Sequence, residues 1–372
     1  ANVTLTVEHA YKVGRFLGWY YGQKTPGEKC RIVIGKDTRK SGDMLEAALT
    51  AGLCSMGAKV IPLGVVPTPA VAYLTRYYKA DAGVVISASH NPCEYNGIKF
   101  FNSDGYKLSD GIENEIESYI LGEKAIEELP THGKVGYVSA NHNAVEDYVA
   151  FAVSTIDCRL DGMKIAVDCA NGASYETAFK ALNKLGANVE AIHNTPDGVN
   201  INHMCGSTHM ESLQAYVTSI GADIGIAFDG DADRMLAVDE NGKLIDGDQI
   251  MAACAKFMRD NGTLKQNTLV ATVMSNLGLF MAGEKIGINI PRTKVGDRYV
   301  LEEMLAKGYN IGGEQSGHII FLDHNTTGDG LVSALQFLSV LKKTGMKASE
   351  AASIVTVMPQ VLRNAVVKLE NK

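Results

Sequence analysis

The sequence predicts an α/β protein made of three consecutive α/β domains of similar βαβαβ topology, with mostly parallel mixed sheets and a cleft between the domains. Three observations carry this reading. Short apolar, β-branched runs alternate with stretches of helical periodicity along the chain. The order strand, helix, strand, helix, strand occurs three times, sharing pattern more than letters. Each third strand runs into a polar loop: SASHNP at Ser87 to Pro92, DGDADR at Asp229 to Arg234, and GEQSGH at Gly313 to His318. Ligands of open α/β sheets sit beyond the carboxyl ends of strands, so three such loops can converge on one site.

The chain opens with Val7, Ala10, Val13, Leu17 and Tyr20 at helical spacing. The first unit then reads as strand Arg31–Gly35, helix Met44–Met56 capped by Gly57, strand Lys59–Leu63, a Val66–Pro69 turn opening a helix through Tyr73 and Tyr77, and strand Gly83–Ile86. In the second unit, strands Met163–Asp168, Gly186–Ile192 and Asp223–Phe228 alternate with helices Gly172–Leu185 and Met210–Ile220. The third has strands Thr268–Val273, Asn289–Arg292 and Asn310–Gly312 with helices Leu277–Lys285 and Arg298–Ala306, and its last helix ends across Thr344–Ala351. Glu123–Tyr137 is polar and Pro/Gly-containing, Asn141–Ile156 reads as a helix, and Asp239–Gly247 holds an Asn-Gly hairpin signal. These breaks place domain 1 at 1–140, domain 2 at 141–242, domain 3 at 243–355, and a linker with the start of another element at 356–372.

A net charge of −7 argues against nucleic acid or an acidic membrane surface as the main partner, because phosphate backbones are bound through dense Lys/Arg patches. No apolar segment approaches the ~18 residues that span a bilayer. The seven cysteines are scattered without a C-x-x-C pair, which reads as reduced thiols in a cytoplasmic protein. Cys93, beside SASHNP, reads as a small passive side chain.

The loops carry the chemistry. Ser89 places a hydroxyl at the end of a core strand beside His90, which reads by itself as an ordinary Ser-rich strand-to-turn connection or as the way an α/β protein presents a nucleophile. Asp229, Asp231 and Asp233 alternate, so in extended backbone their carboxylates face one side and repel unless a cation sits among them. Carboxylate-only ligation suits a hard ion, Mg²⁺ above Ca²⁺ or Zn²⁺. An EF-hand competes because Glu240 falls at its twelfth position, but Arg234 stands where that loop needs Gly and β-type segments flank it. Arg234 offers a planar fork for phosphate, or simply balances the aspartates. Lys99 comes within reach if the loop after Ser89 folds back. GEQSGH combines a carboxylate, an amide, a hydroxyl and an imidazole, a set that reads alone as a polar turn or as a match to the groups of a sugar. Arg292, Lys294 and Arg298 beside Gly296 read as a phosphate cradle or a charged loop before a helix. Together these parts equip a protein to move a phosphoryl group to and from a sugar.

SASHNP with NGIKFF, DGDADR, RTKVGDRYV and GEQSGH resemble the α-D-phosphohexomutases over the whole chain, and the last two are worded most like the bacterial members that act on glucosamine phosphates. The resemblance implies a phosphoserine at Ser89, Mg²⁺ held by Asp229, Asp231, Asp233 and the Ser89 phosphate, and sugar recognition by Glu314 and Ser316, with Lys294 and Arg298 on the substrate side. It implies general acid/base roles for Lys99 and His318, charge stabilisation by Arg234, and a steadying role for His90. The implied reaction interconverts glucosamine 6-phosphate and glucosamine 1-phosphate through a hexosamine 1,6-bisphosphate, supplying UDP-N-acetylglucosamine and cell-wall precursors. A phosphomannomutase or phosphoglucomutase, and a non-catalytic phosphosugar-binding fragment, are the alternatives. The family usually opens with a G-T-D-G-x-R-G-like segment and ends with a fourth domain bearing an R-x-S-G-T-E-P-like loop. Neither stands in this sequence, so the chain is expected to be truncated at both ends. The phosphosugar is the expected partner, without nucleic acid or membrane, and a homodimer stays open.

Overall fold

The computed structural model describes residues 2–24, 27–123, 125–126 and 129–361. The first unit opens with α1 (Val7–Gly22), then β1 (Arg31–Lys36), α2 (Ser41–Ser55), β2 (Lys59–Val65), α3 (Thr68–Tyr77), β3 (Ala82–Ile86), β4 (Ile98–Asn102), α4 (Asp110–Ile120) and β5 (Tyr137–Val138). Its sheet has the order β4-β3-β1-β2-β5; β4 alone runs antiparallel, returning along β3 with Lys99 opposite Val85. All five residues of β3 are buried, as a strand covered on both faces requires.

The second unit holds α5 (Ala144–Ser154), β6 (Lys164–Asp168), α6 (Ser174–Lys184), β7 (Asn188–Ile192), α7 (Glu211–Ile220), β8 (Ile224–Phe228), β9 (Met235–Asp239) and β10 (Leu244–Ile245). Its order is β10-β9-β8-β6-β7, with β9 antiparallel to β8 and the Asn-Gly hairpin joining β9 to β10. The third unit holds α8 (Gly247–Asp260), β11 (Ala271–Thr272), α9 (Leu277–Ile286), β12 (Arg292–Thr293), α10 (Asp297–Lys307), β13 (Ile311–Gly313), β14 (Ile319–Phe321), α11 (Gly330–Thr344) and α12 (Ala348–Ala352). Here β11 pairs parallel with β12, β13 pairs antiparallel with β14, and a parallel bridge from Val270 to Gly312 joins the two ribbons.

All three units therefore share one arrangement: an antiparallel return strand, then the third, first and second strands. Each polar loop sits between the third strand and its return strand, at β3–β4, β8–β9 and β13–β14. The third unit is more broken than the sequence predicts. Thr268–Val273 and Asn289–Arg292 form a two-residue ladder flanked by isolated bridges at Thr268–Asn289 and Val270–Gly312. Pro291 has no N–H to give to the ladder and only accepts, from the Ala271 N–H at 3.1 Å.

One apolar core runs through all three units, from Val33 and Val71 through Tyr148 and Phe228 to Phe337. A second, between α1, α2, α4 and the first sheet, includes Phe16, Leu49 and Val84. Polar joints fix the units further. Tyr148 donates to Asp329 at 2.8 Å, Arg76 donates to Asn325 at 2.8 Å, and Asn325 donates to the Pro69 carbonyl at 3.1 Å. Residues 355–361 form no regular element; Asn276 exchanges hydrogen bonds with the Met358 backbone at 2.8 Å each way. The strand expected beyond them falls on 362–372, outside the described residues. No helix among the described residues is long and apolar enough to cross a membrane, and all seven cysteines are unpaired.

Asp248, in the first turn of α8, is fully buried and accepts from the Asn276 N–H at 2.6 Å. Burial pushes its carboxyl up to about 6, above the unfolded value of about 4. A group raised in this direction stabilises the fold below pH ~4, and that contribution disappears as pH climbs through about 6. At pH 8 the buried charge costs about 2–3 kcal/mol. Asp248→Asn keeps an oxygen for the Asn276 N–H, so the melting temperature should rise by a few degrees at pH 8 and stay level near pH 4. An equal change at both pH values in paired thermal melts would contradict this assignment.

Candidate functional site

The serine loop is held before it reaches any ligand. Ser87 is still buried, and its hydroxyl accepts from the Ser89 N–H at 3.0 Å. Ser89 has φ +50°, a left-handed conformation that costs a serine about 1–2 kcal/mol unless its surroundings enforce it. They do. Arg39, 2% exposed and ion-paired to buried Asp37, donates to the Ser89 carbonyl at 3.1 Å and also to the Asn91 carbonyl. Asn202 of the second unit donates to both carbonyls at 2.9 Å. So oriented, the Ser89 hydroxyl donates to Asp229 Oδ2 at 2.8 Å. His90 stands exposed at the rim, where desolvation and the neighbouring Arg234 guanidinium keep its imidazole below the usual histidine range.

Asp229, Asp231 and Asp233 do converge, with one oxygen of each within 4.8 Å of the others. Extended backbone is not the cause. The segment turns: the Ala232 N–H donates to the Asp229 carbonyl at 3.0 Å and Ala232 has φ +54°. Alternation would leave the carboxylates along a line, whereas the turn gathers them round a point. Gly230 lets this turn touch the serine loop, since a Cβ there would lie 2.7 Å from the Ser89 carbonyl oxygen.

Each aspartate has its own neighbours. Asp229 Oδ1 accepts from the Arg234 N–H at 3.2 Å. Asp231 Oδ2 accepts from Thr68 at 2.6 Å and from Lys99 Nζ at 2.5 Å, both in the first unit. Asp233 faces His318 Nδ1 at 3.6 Å, while Arg234 Nε lies 3.9 Å from it. Burial, then the other two carboxylates, push Asp229 well above the usual range. Burial works the same way on Asp233, but His318, Lys99 and Arg234 overcome it and hold that carboxyl far below. Burial also opposes the Lys99 charge, and Asp231 and Asp233 outweigh it, so the ammonium is raised above its ordinary value. Asp231 Oδ1 and Asp233 Oδ1 are buried without a hydrogen-bond partner among the described residues. Two orphaned anionic oxygens beside a third carboxylate fit a hard divalent cation, which takes oxygen ligands.

The sugar-type loop joins the acidic loop through the Met235 N–H, which donates to the Gly317 carbonyl at 3.0 Å. His318 is 3% exposed, set between Asp233 and Asp297, whose Oδ2 lies 3.5 Å from Nε2, and Nε2 also accepts from the Gly328 N–H at 3.2 Å. Nε2 is thus occupied as an acceptor, and Nδ1 is turned toward Asp233. Glu314 accepts from the Gly296 N–H at 2.9 Å, Ser316 is exposed, and Gln315 donates to Asp246 at 2.9 Å. The expected cradle of cations is dispersed. Arg292 stacks on Phe280 at 3.7 Å, Lys294 is exposed 5.5 Å from the centre of the Tyr299 ring, and Arg298 is taken up by Asp110 and by Glu302 at 2.8 Å. Glu240, the EF-hand competitor, pairs with Ser349 and takes no part in the triad.

Asp37, Arg39, Thr68, Asn202 and Asp297 were missed from sequence. Arg39 and Thr68 follow β1 and β2, so polar residues beyond every strand end, not only the third, were the usable signal. Asn202 lies in an irregular loop with no pattern to mark it.

Comparison with known proteins agrees with this geometry. Families described as phosphoglucomutase/phosphomannomutase α/β/α domains I, II and III match residues 1–127, 145–242 and 246–358. The chain is 59% identical to a phosphoglucosamine mutase of Ruminiclostridium cellulolyticum over 372 residues, 100% of this chain and 83% of that protein. It is 60% identical to a phosphoglucosamine mutase of Clostridium novyi over 365 residues, 98% of this chain and 81% of that one. The crystal structure of a phosphoglucomutase/phosphomannomutase family protein from Burkholderia thailandensis aligns with a TM-score of 0.80 at 26% identity, over 95% of this chain and 77% of that one. With three matched domains in family order and relatives this similar along the whole chain, the protein belongs to the phosphoglucomutase/phosphomannomutase family, the α-D-phosphohexomutases.

Proposed function

We propose that the chain acts as a phosphoglucosamine mutase, an isomerase that interconverts glucosamine 6-phosphate and glucosamine 1-phosphate by way of a phosphorylated Ser89. The observation that carries this is the Ser89 hydroxyl on Asp229 at 2.8 Å, at the edge of a buried tri-aspartate cluster. The whole-chain similarity to phosphoglucosamine mutases supports the choice of sugar.

In the first half-reaction the bond from phosphorus to Ser89 Oγ breaks and a bond to the sugar O1 forms, giving the 1,6-bisphosphate. The proton lost from O1 is balanced by the one that Oγ takes up, so Oγ ends as a hydroxyl. After the bisphosphate turns over in the cleft, Oγ attacks the 6-phosphoryl group, gives up its proton, and O6 becomes the hydroxyl of glucosamine 1-phosphate. No co-reactant is consumed. Asp229, Asp231 and Asp233 would hold Mg²⁺, which when bound neutralises phosphoryl charge. Lys99, kept cationic on Asp231, is the group we assign to give a proton to the leaving oxygen and recover it in the return half. Arg234 adds positive charge at the rim, and Glu314 with exposed Ser316 offers an acceptor and a hydroxyl to the sugar. His318 lies between Asp233 and Asp297, with its Nδ1 turned to Asp233 and its Nε2 accepting from the Gly328 N–H. Arg298 and Lys294 stand apart from this set.

Peptide mass spectrometry of the active protein should find phosphate on Ser89, and Ser89→Ala should lower mutase turnover by more than about 1,000-fold. Full activity with Ser89 unmodified would sink the proposal. Chelation, or Asp231→Asn, should cost about 3 kcal/mol or more in the barrier, roughly 100-fold in rate, with Mg²⁺ restoring only the chelated wild type. Turnover compared on glucosamine, glucose and mannose 6-phosphates should favour glucosamine; preference for either other sugar would move the assignment within the family.

A further inference from the structure

Beneath the serine loop, non-glycine residues gather in the left-handed region: Ser89, Ala170, Asn171, His193, Asn202 and Ala232 have φ between +46° and +57°. Strain concentrated this way persists only where surrounding contacts enforce it, and it marks places where geometry serves function. At Ala170 and His193 the enforcing group is Asp168, fully buried at the end of β6. Its Oδ1 accepts from the Ala170 N–H at 2.8 Å, and its Oδ2 accepts from the Gly206 N–H at 2.9 Å and meets His193 Nδ1 at 2.9 Å. The Asn171 N–H donates to the His193 carbonyl at 2.6 Å. These bonds pin both ends of the loop from residue 193 to 206.

Asn202 sits on that loop, 6% exposed, its own N–H given to the Ala170 carbonyl at 2.9 Å. Its Nδ2 donates to the Ser89 and Asn91 carbonyls at 2.9 Å each, while its Oδ1 is buried without a hydrogen-bond partner. Two carbonyls therefore fix which way the amide faces, because a flipped amide would turn its oxygen onto them. The serine loop is gripped by Arg39 from its own unit and by Asn202 from the next.

We propose that Asn202 is a positioning residue for phosphoryl transfer at Ser89, a proposal that rests on the phosphoserine reading above. It acts through the backbone of Ser89 and Asn91, not on the transferred group. The need for it follows from the chemistry. The hydroxyl bond from Ser89 to Asp229 exists only while Oγ carries a proton, so phosphorylation removes it and sets a phosphate beside three carboxylates. From then on the loop keeps its place through the Ser89 N–H on Ser87 and through its backbone carbonyls, which Arg39 and Asn202 hold.

Asn202→Gly tests this, since glycine accepts the left-handed backbone and removes the side chain that carries the amide. In steady-state assays with glucosamine 6-phosphate, kcat should fall on the order of 10–100-fold, the scale of a misplaced reacting group, with KM within about twofold. Loading of Ser89 from glucose 1,6-bisphosphate, followed by intact mass, should slow by a similar factor while the melting temperature moves by no more than a few degrees. Asn202→Asp, which turns an acceptor onto both carbonyls, should be slower still. Wild-type loading and kcat in Asn202→Gly would overturn the proposal, as would a loss explained entirely by unfolded protein. If wild type itself fails to take phosphate on Ser89, the phosphoserine reading falls, and the two failures are told apart in one experiment.

Discussion

Three carboxylates within 4.8 Å of one another, all buried or nearly so, are the constraint on which the rest of this structure depends. Like charges this close in a poorly solvated place repel strongly, and each must be matched by something else. The chain answers with groups from all three units: the Ser89 hydroxyl, Thr68 and Lys99 from the first, Arg234 from the second, and His318 from the third. The acidic cluster is therefore both a ligand site and the point where the units are drawn together. A serine and a lysine gathered beside three carboxylates suit phosphoryl transfer to a sugar.

The repeated strand order explains why these groups can meet. In each unit the third parallel strand is followed by an antiparallel return, so its connecting loop leaves the carboxyl edge of the sheet and comes straight back. Such a loop is anchored at both ends, which lets it carry strained backbone without losing position. The continuous core from Val33 to Phe337, with joints such as Tyr148–Asp329, holds the three loop-bearing edges toward one another. Positioning is thus spread over the whole fold, while the chemistry occupies a few residues.

Much of this was legible in the residues. The three units, the hairpin after β9 and the three loops followed from periodicity and turn chemistry, which are local properties. Lys99 read as within reach only if the loop after Ser89 folds back, and β4 returning along β3 supplies that fold. The cations of Arg292, Lys294 and Arg298 were less well read. Their spacing suggests a cradle, but Phe280, Tyr299, Asp110 and Glu302 each claim one of them, and none of those partners is adjacent in sequence to the loop's glycine.

By itself the sequence determined the residue types of the site, the order of the units and the charge that a cation must relieve, because these depend on side-chain chemistry and on contacts a few residues apart. Only the tertiary structure decided that the aspartates converge by a turn, that His318 is clamped between Asp233 and Asp297, and that Arg39 and Asn202 grip the backbone of Ser89. The physical reason is separation along the chain: Asn202 lies 113 residues from the carbonyl it holds. No local periodicity records a hydrogen bond between two loops that meet only after their sheets have formed and packed.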